Sequence, residues 1–412
     1  MGKYVLFGAG KYGCMILEWL HSENVAYFVD NSIEKQNTVI NGKKVYSLEE
    51  KKEDIKQYEI IISAKADRNS AMAADLRKVG IDSFYTYKEI EQEVVSKRLS
   101  APLDIKKTYI NAMDWIQKNS ITQKGIINNT NLKFPYPEVS GYYIPTLIRW
   151  NNHDLAIQYA KWLCDIQKND GSWWGTENDM PYVFDTAQII KGLLAIRVFL
   201  PEVDENINRA CEWLCTFITD EGRFKAYDDK IWGDGKIISE LIHIYCLSPI
   251  RDAGVLFNKN EYVRKSESSL DYYIDNCSNK IKDFHLLSHF YAYVMEGLID
   301  MGRDDVATEA MEALAAYQKD SGAVPAYKNV NWVCSTGLFQ LALVWFRLGN
   351  QERGIKAFEY ACKLQNESGG WYGSYLSEND SREDNTYFPD AEISWANKYF
   401  LDALYYRDKV QS

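Results

Sequence analysis

The chain has 412 residues, enough for two or three domains, and its 46 % hydrophobic and 25 % charged residues are typical of globular proteins. Its formal net charge of −11 and the lack of a basic block argue against nucleic acid as a partner, and no apolar run approaches the length that spans a bilayer. Aromatic residues are unusually frequent at 14 %, and 29 of them are tyrosines, which suit wet concave surfaces and the faces of sugars.

Residues 1–95 are predicted to form a small parallel α/β domain. The strand pattern KYVLFGAG leads directly into the helical pattern KYGCMILEWLHS. Between them Gly8, Gly10 and Gly13 have the G-x-G-x-x-G spacing of a phosphate-binding turn, in which the second glycine lets a phosphate approach the backbone. A second strand, VAYFVD, ends in Asp30, whose carboxylate is placed to accept hydrogen bonds from a ribose.

The segments FGAGKYG, FVDN and INGKKVYSLEE resemble the small nucleotide-binding domain fused to bacterial sugar-modifying enzymes, including sugar-nucleotide N-acetyltransferases. The resemblance implies a Rossmann-like domain that binds a nucleotide sugar at the glycine turn, with NAD as the weaker alternative. A relic domain that keeps the glycines for packing and binds nothing is the other interpretation. Residues 96–104, which are charged and contain a proline, are predicted to be a linker.

Residues 105–408 are predicted to be helical, with a repeat of two helices. Outer-type helices carry an anchor residue every 42 to 59 positions, at Trp115, Trp162, Trp213, Tyr272, Leu314 and Tyr360. Six helices of a second type, rich in small and aromatic residues, alternate with them. Two helices per repeat and six repeats predict an (α/α)6 toroid with an inner and an outer ring, so the fold class is a multidomain α/β plus all-α protein. A linear helical solenoid is the alternative, but it requires atypical capping repeats.

The pattern Q-x-x-x-G-x-W follows two of the outer helices, at Gln167/Gly171/Trp173 and Gln365/Gly369/Trp371. These segments resemble the glutamine-tryptophan repeat of squalene and hopene cyclases, where the repeat is structural. We expect the glycine to end the helix and the glutamine amide to bind backbone groups of the neighbouring repeat. The D-x-D-D and D-D-x-x-D motifs of terpene cyclases and the Cys-His-Gly motif of zinc-binding toroids are absent from the sequence, so no metal site is expected.

Polar and aromatic residues at the starts of the inner helices are the candidates for a sugar-binding cleft, because rings stack on sugars and carboxylates bind hydroxyls or transfer protons. The candidate catalytic residues are Glu138, Tyr142, Asp185, His285 and His289. The candidate substrate-binding residues are Tyr143, Trp174, Glu177, Trp332, Gln340, Asp390, Glu392 and Trp395. Alternative roles are helix caps for the two aspartates and a satisfied polar core for the two histidines, which are expected one helical turn apart.

Five segments resemble, in this order, a bacterial family of toroid proteins linked to exopolysaccharide and cell-surface glycan biosynthesis: YPEVSGYYIPTL, PYVFDTAQIIKGLL, HFYAYVMEGL, STGLFQLALVWFRLG and AEISWANKYFLDAL. More distantly, the predicted toroid is similar to polysaccharide lyases, unsaturated-uronyl hydrolases and glucuronyl C5-epimerases, in which Tyr, His and Glu move protons. These resemblances imply a protein that modifies a glycan or a sugar nucleotide by acid/base chemistry.

Two other functions remain open at this point. One is a non-catalytic protein that binds a nucleotide sugar or a glycan within a biosynthetic complex or homo-oligomer. The other is an isoprenoid-processing toroid, which requires a cavity with almost no carboxylates. The chain opens directly into a strand pattern without the features of a signal peptide, so we expect a cytoplasmic protein.

Overall fold

The computed structural model describes residues 2–177, 180–228, 240–377 and 385–411. They fall into two compact units: a sheet unit of Met1–Ala101 and Leu376–Asp390, and a toroid unit of Pro102–Tyr375 and Ala391–Ser412. The toroid domain predicted over 105–408 includes Leu376–Asp390, whereas the contacts group this segment with the sheet unit. The segment Leu376–Asp390 joins the sheet unit because the Leu376 N–H donates to the buried Glu91 carboxylate and Asp390 pairs with Lys11.

The sheet unit is built around a six-stranded sheet with the order β3-β4-β2-β1-β5-β6. Its strands are β1 (Tyr4–Phe7), β2 (Val25–Val29), β3 (Val39–Ile40), β4 (Lys43–Tyr46), β5 (Glu59–Ile62) and β6 (Tyr85–Thr86). Its described helices are α1 (Lys11–Leu20), α2 (Leu48–Lys51), α3 (Ala66–Lys78) and α4 (Tyr87–Ser100). All strand pairs are parallel except β3 with β4. The continuous apolar runs of β1 and β5 follow from this, since a parallel strand is covered on both faces.

The toroid unit consists of helices that alternate between an outer and an inner position. The outer helices are α5 (Ile105–Asn119), α7 (His153–Ile166), α9 (Asp204–Cys215), α11 (Asn260–Lys282), α13 (Asp304–Ala315) and α15 (Gln351–Lys363). The inner helices are α6 (Pro137–Arg149), α8 (Val183–Ile196), α10 (Leu247–Leu256), α12 (Ser288–Asp300), α14 (Ser335–Arg347) and α16 (Ser394–Gln411). A 3-10 helix, Glu240–Cys246, leads into α10, while residues 236–239 of this predicted helix lie outside the described residues. No helix in the described part of the chain combines the length and apolar character needed to cross a membrane.

The inner helices form a closed ring. Neighbours pack on one another from α6 to α16, and α16 packs in turn on α6. Their burial agrees with an inner position, since every residue of α14 before its last is buried. Short strands sit in the loops: β7 (Trp174–Gly175), β8 (Met180–Pro181), β9 (Trp332–Cys334) and β10 (Ser374–Leu376). The toroid is thus confirmed, and the linear solenoid is not, because a solenoid leaves its first and last helices apart.

A glycine contact joins successive outer helices. Four glycines that follow outer helices have φ between 94° and 97°, the left-handed region that favours glycine. A Cβ atom on any of them would lie 2.1 to 2.4 Å from a backbone carbonyl oxygen of the next outer helix. The four glycine–carbonyl contacts are Gly171 with Arg209, Gly222 with Ser268, Gly322 with Lys356, and Gly369 with Asn111. The last of them runs from the end of α15 to α5, so it closes the outer ring.

The glutamines of the repeat strengthen the same junctions. Gln167 Nε2 donates to the carbonyl oxygens of Gly171 and Asn206, both at 2.9 Å. Gln365 makes the equivalent bond at the ring closure, where its Nε2 donates to the carbonyl oxygen of Thr108 at 3.0 Å. The predicted structural role of the repeat is therefore confirmed at these positions.

We expect Gly171→Ala to destabilise the toroid far more than Gly302→Ala. Both glycines have positive φ, which costs an alanine about 1 kcal/mol, but only the Cβ at position 171 meets a carbonyl oxygen, at 2.3 Å. Nothing lies within 4 Å of a Cβ at position 302. Urea denaturation should show a loss in the free energy of unfolding of about 3 kcal/mol or more for Gly171→Ala and about 1 kcal/mol for Gly302→Ala. Equal losses would contradict the role given to the glycine contact.

Candidate functional site

Two neighbouring inner helices each carry a carboxylate in the first turn, Glu138 on α6 and Asp185 on α8. Helix α6 begins at Pro137, because proline has no N–H and suits the first helical position. The Tyr136 hydroxyl, just before that proline, donates to Asp185 Oδ2 at 3.1 Å. This bond ties the starts of the two helices together. Asp185 is not the N-cap of α8, which is Tyr182, so the helix-cap interpretation of Asp185 is wrong.

Both carboxyl groups resist ionisation. Burial raises the pKa of Asp185 to about 7, against the opposing effect of the hydrogen bond from Tyr136. Burial and then repulsion by Asp185 raise the pKa of Glu138 well above its ordinary value, while the Lys398 ammonium group lowers it. Since two like charges at one site do not both form easily, the pair retains a proton near neutral pH. Such a pair can donate one proton and accept another.

Aromatic rings from the inner helices fill the space around the Lys398 side chain. The Lys398 Nζ lies 3.5 Å from the ring centroid of Tyr399 and 5.1 Å from that of Tyr142. The His289 ring lies 4.4 Å from Tyr293 and parallel to Trp395, with centroids 6.5 Å apart. The side chains of all these residues are buried. Of the predicted residues, the structure therefore brings Tyr142, His289 and Trp395 into the centre of the ring, as part of its core.

His289 is held in a chain of buried hydrogen bonds. Its Nδ1 lies 2.7 Å from Gln340 Oε1, and Gln340 Nε2 donates to Glu296. With the Gln340 amide in this orientation, His289 donates through its Nδ1–H group, and the Nε2 atom of His289 carries the lone pair. Burial lowers the pKa of His289 to about 3, so the imidazole is neutral at physiological pH. These contacts agree with the satisfied polar core interpretation of His289 and place Gln340 in the same core.

His285 does not share a helix face with His289. It lies exposed before the start of α12, where its Nδ1 is 2.8 Å from the Asp283 carbonyl oxygen. The expected pair one helical turn apart is therefore wrong, since the helix begins only at Ser288. The sequence pattern misplaced this boundary because HLLSHFYAY continues the apolar run of the helix upstream of its first turn.

Three predicted substrate-binding residues are engaged elsewhere. The Tyr143 hydroxyl donates to the Ser394 carbonyl oxygen and joins α6 to α16. Asp390 belongs to the sheet unit, where its carboxylate lies 3.3 Å from the Lys11 ammonium group. The buried Glu392 carboxylate accepts hydrogen bonds from Trp115 Nε1 at 2.6 Å and from a neighbouring asparagine. These contacts give the three residues structural roles, and their binding roles stay predictions from the sequence.

The remaining candidates differ in exposure. Trp174 is partly exposed on β7, with the Lys168 ammonium 4.7 Å from its ring centroid, and Glu177 is exposed nearby. Trp332 is buried in β9, edge-on to Tyr327. Trp174 and Glu177 are therefore accessible to a ligand, whereas Trp332 belongs to the core.

A separate cleft of about 620 Å³ lies over the glycine turn of the sheet unit. Gly8 has φ of 118°, and a Cβ there would lie 2.8 Å from the Ser63 carbonyl oxygen. A Cβ on Gly13 would lie 2.1 Å from the Gly8 carbonyl oxygen. A Cβ on Gly10, by contrast, would meet only the Lys35 ammonium, at 3.8 Å. Packing thus accounts for the first and third glycines, but it does not account for the second.

The polar groups of this cleft favour an anion. Four cationic side chains line it, from Lys11, Lys35, Lys65 and Arg68. Asp30 also lines the cleft, and its carboxylate accepts hydrogen bonds from the Ala9 N–H at 2.7 Å and the Ser32 N–H at 2.8 Å. Asp30 therefore fixes the shape of the glycine turn, in addition to any contact that it makes with a ribose.

Three polar residues inside the toroid were not predicted from the sequence. They are Tyr136, which donates a hydrogen bond to Asp185, and the two buried carboxylates Glu296 and Asp402. The sequence signal that could have found the two carboxylates is a charged residue within an otherwise apolar inner helix. Glu296 lies seven positions after His289, on the same face of α12, and Asp402 lies four positions after Lys398, on the same face of α16.

No protein-family model matches the chain, and no curated protein sequence matches it. Similar solved structures include an α-amylase from Clostridium perfringens, with a TM-score of 0.54, 16 % identity and coverage of 74 % of this chain and 99 % of that one. An unsaturated glucuronyl hydrolase specific for heparin has a TM-score of 0.51, 14 % identity and coverage of 77 % and 98 %. A type II terpene cyclase from Scytonema has a TM-score of 0.50, 12 % identity and coverage of 77 % and 99 %. At these identities the likeness concerns the α/α toroid fold.

We expect Asp185→Asn to gain stability relative to the wild type as pH rises from about 4 to about 7. A buried carboxyl with a raised pKa keeps its proton after the unfolded chain has lost it, so the wild type loses stability across this interval. Asparagine removes that loss and still accepts the Tyr136 hydrogen bond. The gain in the free energy of unfolding relative to the wild type cannot exceed about 4 kcal/mol, because the interval spans about three pH units at 1.36 kcal/mol per unit.

Urea denaturation at several pH values measures this gain directly. Asp252→Asn is the matched control, because the Asp252 side chain is about half exposed. A pH-independent difference between Asp185→Asn and the wild type would contradict the raised pKa.

Proposed function

We propose that the chain modifies a glycan by acid/base chemistry in the toroid, with Glu138 and Asp185 as the proton-transfer pair. The observation that carries this proposal is the juxtaposition of two first-turn carboxylates whose pKa values burial and mutual repulsion raise. General acid/base catalysis is most effective when the pKa of the group lies near the working pH. The raised pKa values of Glu138 and Asp185 meet that requirement, and the proposed proton transfer uses no metal ion.

Glu138 is assigned as the acid and Asp185 as its carboxylate partner. Glu138 is partly exposed, so a substrate can reach it, and repulsion by Asp185 keeps its proton in place. Asp185 is more deeply buried and is oriented by the Tyr136 hydroxyl. In this scheme Glu138 donates its proton to the leaving oxygen of a sugar, and Asp185 takes one from water or from a sugar carbon. This assignment moves the proton-transfer role from Tyr142 and His289 to the carboxylate pair, whose raised pKa values suit proton transfer, whereas burial lowers the pKa of His289 to about 3.

A carbohydrate is the substrate class that these residues favour. The partly exposed Trp174 offers an aromatic face near the loop that leads into α8, and Glu177 offers a carboxylate beside it. Relatives in fold include an α-amylase and a hydrolase specific for heparin, which supports the same class. The isoprenoid alternative is disfavoured by the carboxylates in the first turns of the inner helices, since a carbocation cavity is lined by apolar and aromatic groups. A role in cell-surface polysaccharide biosynthesis is the finer part of the proposal and rests on the sequence resemblance.

Glu138→Gln and Asp185→Asn should each lower kcat on a glycan substrate by at least about 100-fold, because each removes one proton-transfer group. Heparin-type, alginate-type and neutral polysaccharides are the panel to assay. Reducing ends without new ultraviolet absorbance indicate hydrolysis, absorbance of an unsaturated uronate indicates elimination, and deuterium uptake from solvent indicates epimerisation.

Glu352→Gln serves as the control for these two variants, because Glu352 is an exposed carboxylate on an outer helix, paired with Lys356. Its kcat should equal that of the wild type. Full turnover in either Glu138→Gln or Asp185→Asn would exclude the pair as the catalytic groups.

A second candidate function is nucleotide-sugar binding in the sheet unit, with or without turnover in the toroid. Gly10 favours it over a relic domain, because packing gives no reason for a glycine at that position while a phosphate approaching the start of α1 does. The four cations of the cleft supply complementary charge. This ligand would bind through the diphosphate at the glycine turn.

Gly10→Ala should weaken binding of a nucleotide sugar by at least about tenfold without unfolding the sheet unit, since its Cβ has room in the protein but occupies the phosphate position. Calorimetric titration with UDP-, GDP- and CMP-sugars measures this, with Gly42→Ala as a control at a glycine outside the cleft. The absence of heat with every nucleotide sugar would refute this candidate, as would equal affinity of Gly10→Ala and the wild type.

A further inference from the structure

A second cavity lies one helical turn or more beyond Glu138 and Asp185 along the inner helices, toward the C-terminal ends of these helices. It has a volume of about 70 Å³ and is surrounded by residues from the later turns of α6, α8, α12 and α14 together with α16 and a tyrosine that precedes α10. Among the described residues that line it, four are cationic and three are acidic: Arg149, Lys191, Arg347 and Lys398, and Glu296, Asp300 and Asp402. We call this cavity the basal cavity.

The first charge cluster of the basal cavity is centred on Asp300. Its Oδ2 lies 2.7 Å from Lys191 Nζ, and its Oδ1 lies 2.7 Å from Arg347 Nη2. The Asp300 carboxylate is therefore paired with two cations, and the cluster carries one excess positive charge. The two cations lower the pKa of Asp300 to about 2 against the effect of burial, so this carboxylate is ionised.

The second cluster repeats this arrangement around Asp402. Its Oδ1 lies 2.7 Å from Arg149 Nη1, and its Oδ2 lies 3.0 Å from Lys398 Nζ. Lys398 and Asp402 are 5 % and 4 % exposed, so their charges are poorly screened by water. This cluster also carries one excess positive charge, on the other side of the same cavity.

Glu296 is the third carboxylate of the basal cavity. Burial raises the pKa of Glu296, although Lys398, Lys191 and Arg347 act in the opposite direction. The cavity therefore has a surplus of at least one positive charge with Glu296 ionised and of two with Glu296 protonated. A buried surplus of charge is costly unless a counter-ion accompanies it.

The volume of the cavity sets the size of that counter-ion. A water-sized atom occupies about 10–15 Å³ on this measure, so 70 Å³ has room for about five such atoms. A tetrahedral oxyanion has five non-hydrogen atoms. Two guanidinium groups and two ammonium groups are the donors that proteins use for such ions, because guanidinium groups can bind two oxygens at once. Arg149 and Lys191 are 31 % and 27 % exposed, which leaves a route from solvent.

We propose that the basal cavity binds a small tetrahedral oxyanion of the phosphate or sulfate type, held between the Asp300 and Asp402 clusters by Arg149, Lys191, Arg347 and Lys398. This site is distinct from the carboxylate pair, which lies in the first turns of the inner helices, and from the glycine-turn cleft of the sheet unit. The free ion is the ligand, because the cavity has no room for a sugar or a nucleoside attached to the oxyanion.

Calorimetric titration of the full chain with inorganic phosphate and with sulfate tests the proposal. We expect saturable binding of one ion per chain. Arg347→Gln should raise the dissociation constant for phosphate at least tenfold, because it removes one of the four donors. Lys356→Gln removes a cation from an exposed position on an outer helix and should leave the dissociation constant unchanged. The lack of saturable binding, or equal effects of the two substitutions, would overturn the proposal.

A variant that removes a negative charge distinguishes a change in anion binding from a loss of folded structure. Glu296→Gln removes a negative charge from the cavity, so the phosphate affinity should stay the same or increase. A weaker affinity in Glu296→Gln would contradict the charge balance on which the site depends. Glucose 1-phosphate should not compete with inorganic phosphate, and competition at similar concentrations would overturn the assignment to a free ion.

Discussion

The contact between a left-handed glycine and the carbonyl group of the next outer helix is the constraint on which the toroid depends. It recurs at Gly171, Gly222, Gly322 and Gly369, and the last of these connects the end of the helical repeat to its beginning. The approach is so close that only glycine fits, and a glutamine amide reinforces three of these junctions. Because the ring is closed in this way, residues that are more than 250 positions apart in sequence become neighbours in the inner ring, as in the bond between Tyr143 and Ser394.

In the closed ring, the charged side chains at the starts of the inner helices differ from those at their ends. Helix starts favour carboxylates and helix ends favour cations, because the backbone dipoles leave partial positive charge at one end and partial negative charge at the other. Glu138 and Asp185 lie in first turns, whereas Arg149 and Arg347 lie in last turns. One end of the ring therefore gathers groups that exchange protons, and the other gathers groups that bind anions. Lys398, near the middle of the ring, acts electrostatically on both sets.

The sequence predicts the repeat well and the partners of individual side chains poorly. Helical spacing and the Q-x-x-x-G-x-W pattern are local, so the two rings and the role of Gln167 could be anticipated. The engagement of Glu392 by Trp115, or of Asp390 by Lys11, depends on contacts between distant segments that no local pattern encodes. Glu138 and Asp185 were selected because they lie at helix starts, but their mutual repulsion and the bond from Tyr136 appear only in the folded ring. Burial likewise places Tyr142, which was predicted to transfer protons, and Trp332, which was predicted to stack on a sugar, in the core.

The central claim is that Glu138 and Asp185 share a proton near neutral pH. Infrared difference spectroscopy of the carboxyl stretch, recorded as pH is raised through about 6, tests this claim most directly. The account predicts a protonated carboxyl band in the wild type at about pH 6 that is weaker in Glu138→Gln and in Asp185→Asn, and that is unchanged in the control Glu352→Gln. A wild-type spectrum in which both carboxyl groups are already ionised at about pH 5 would contradict the account.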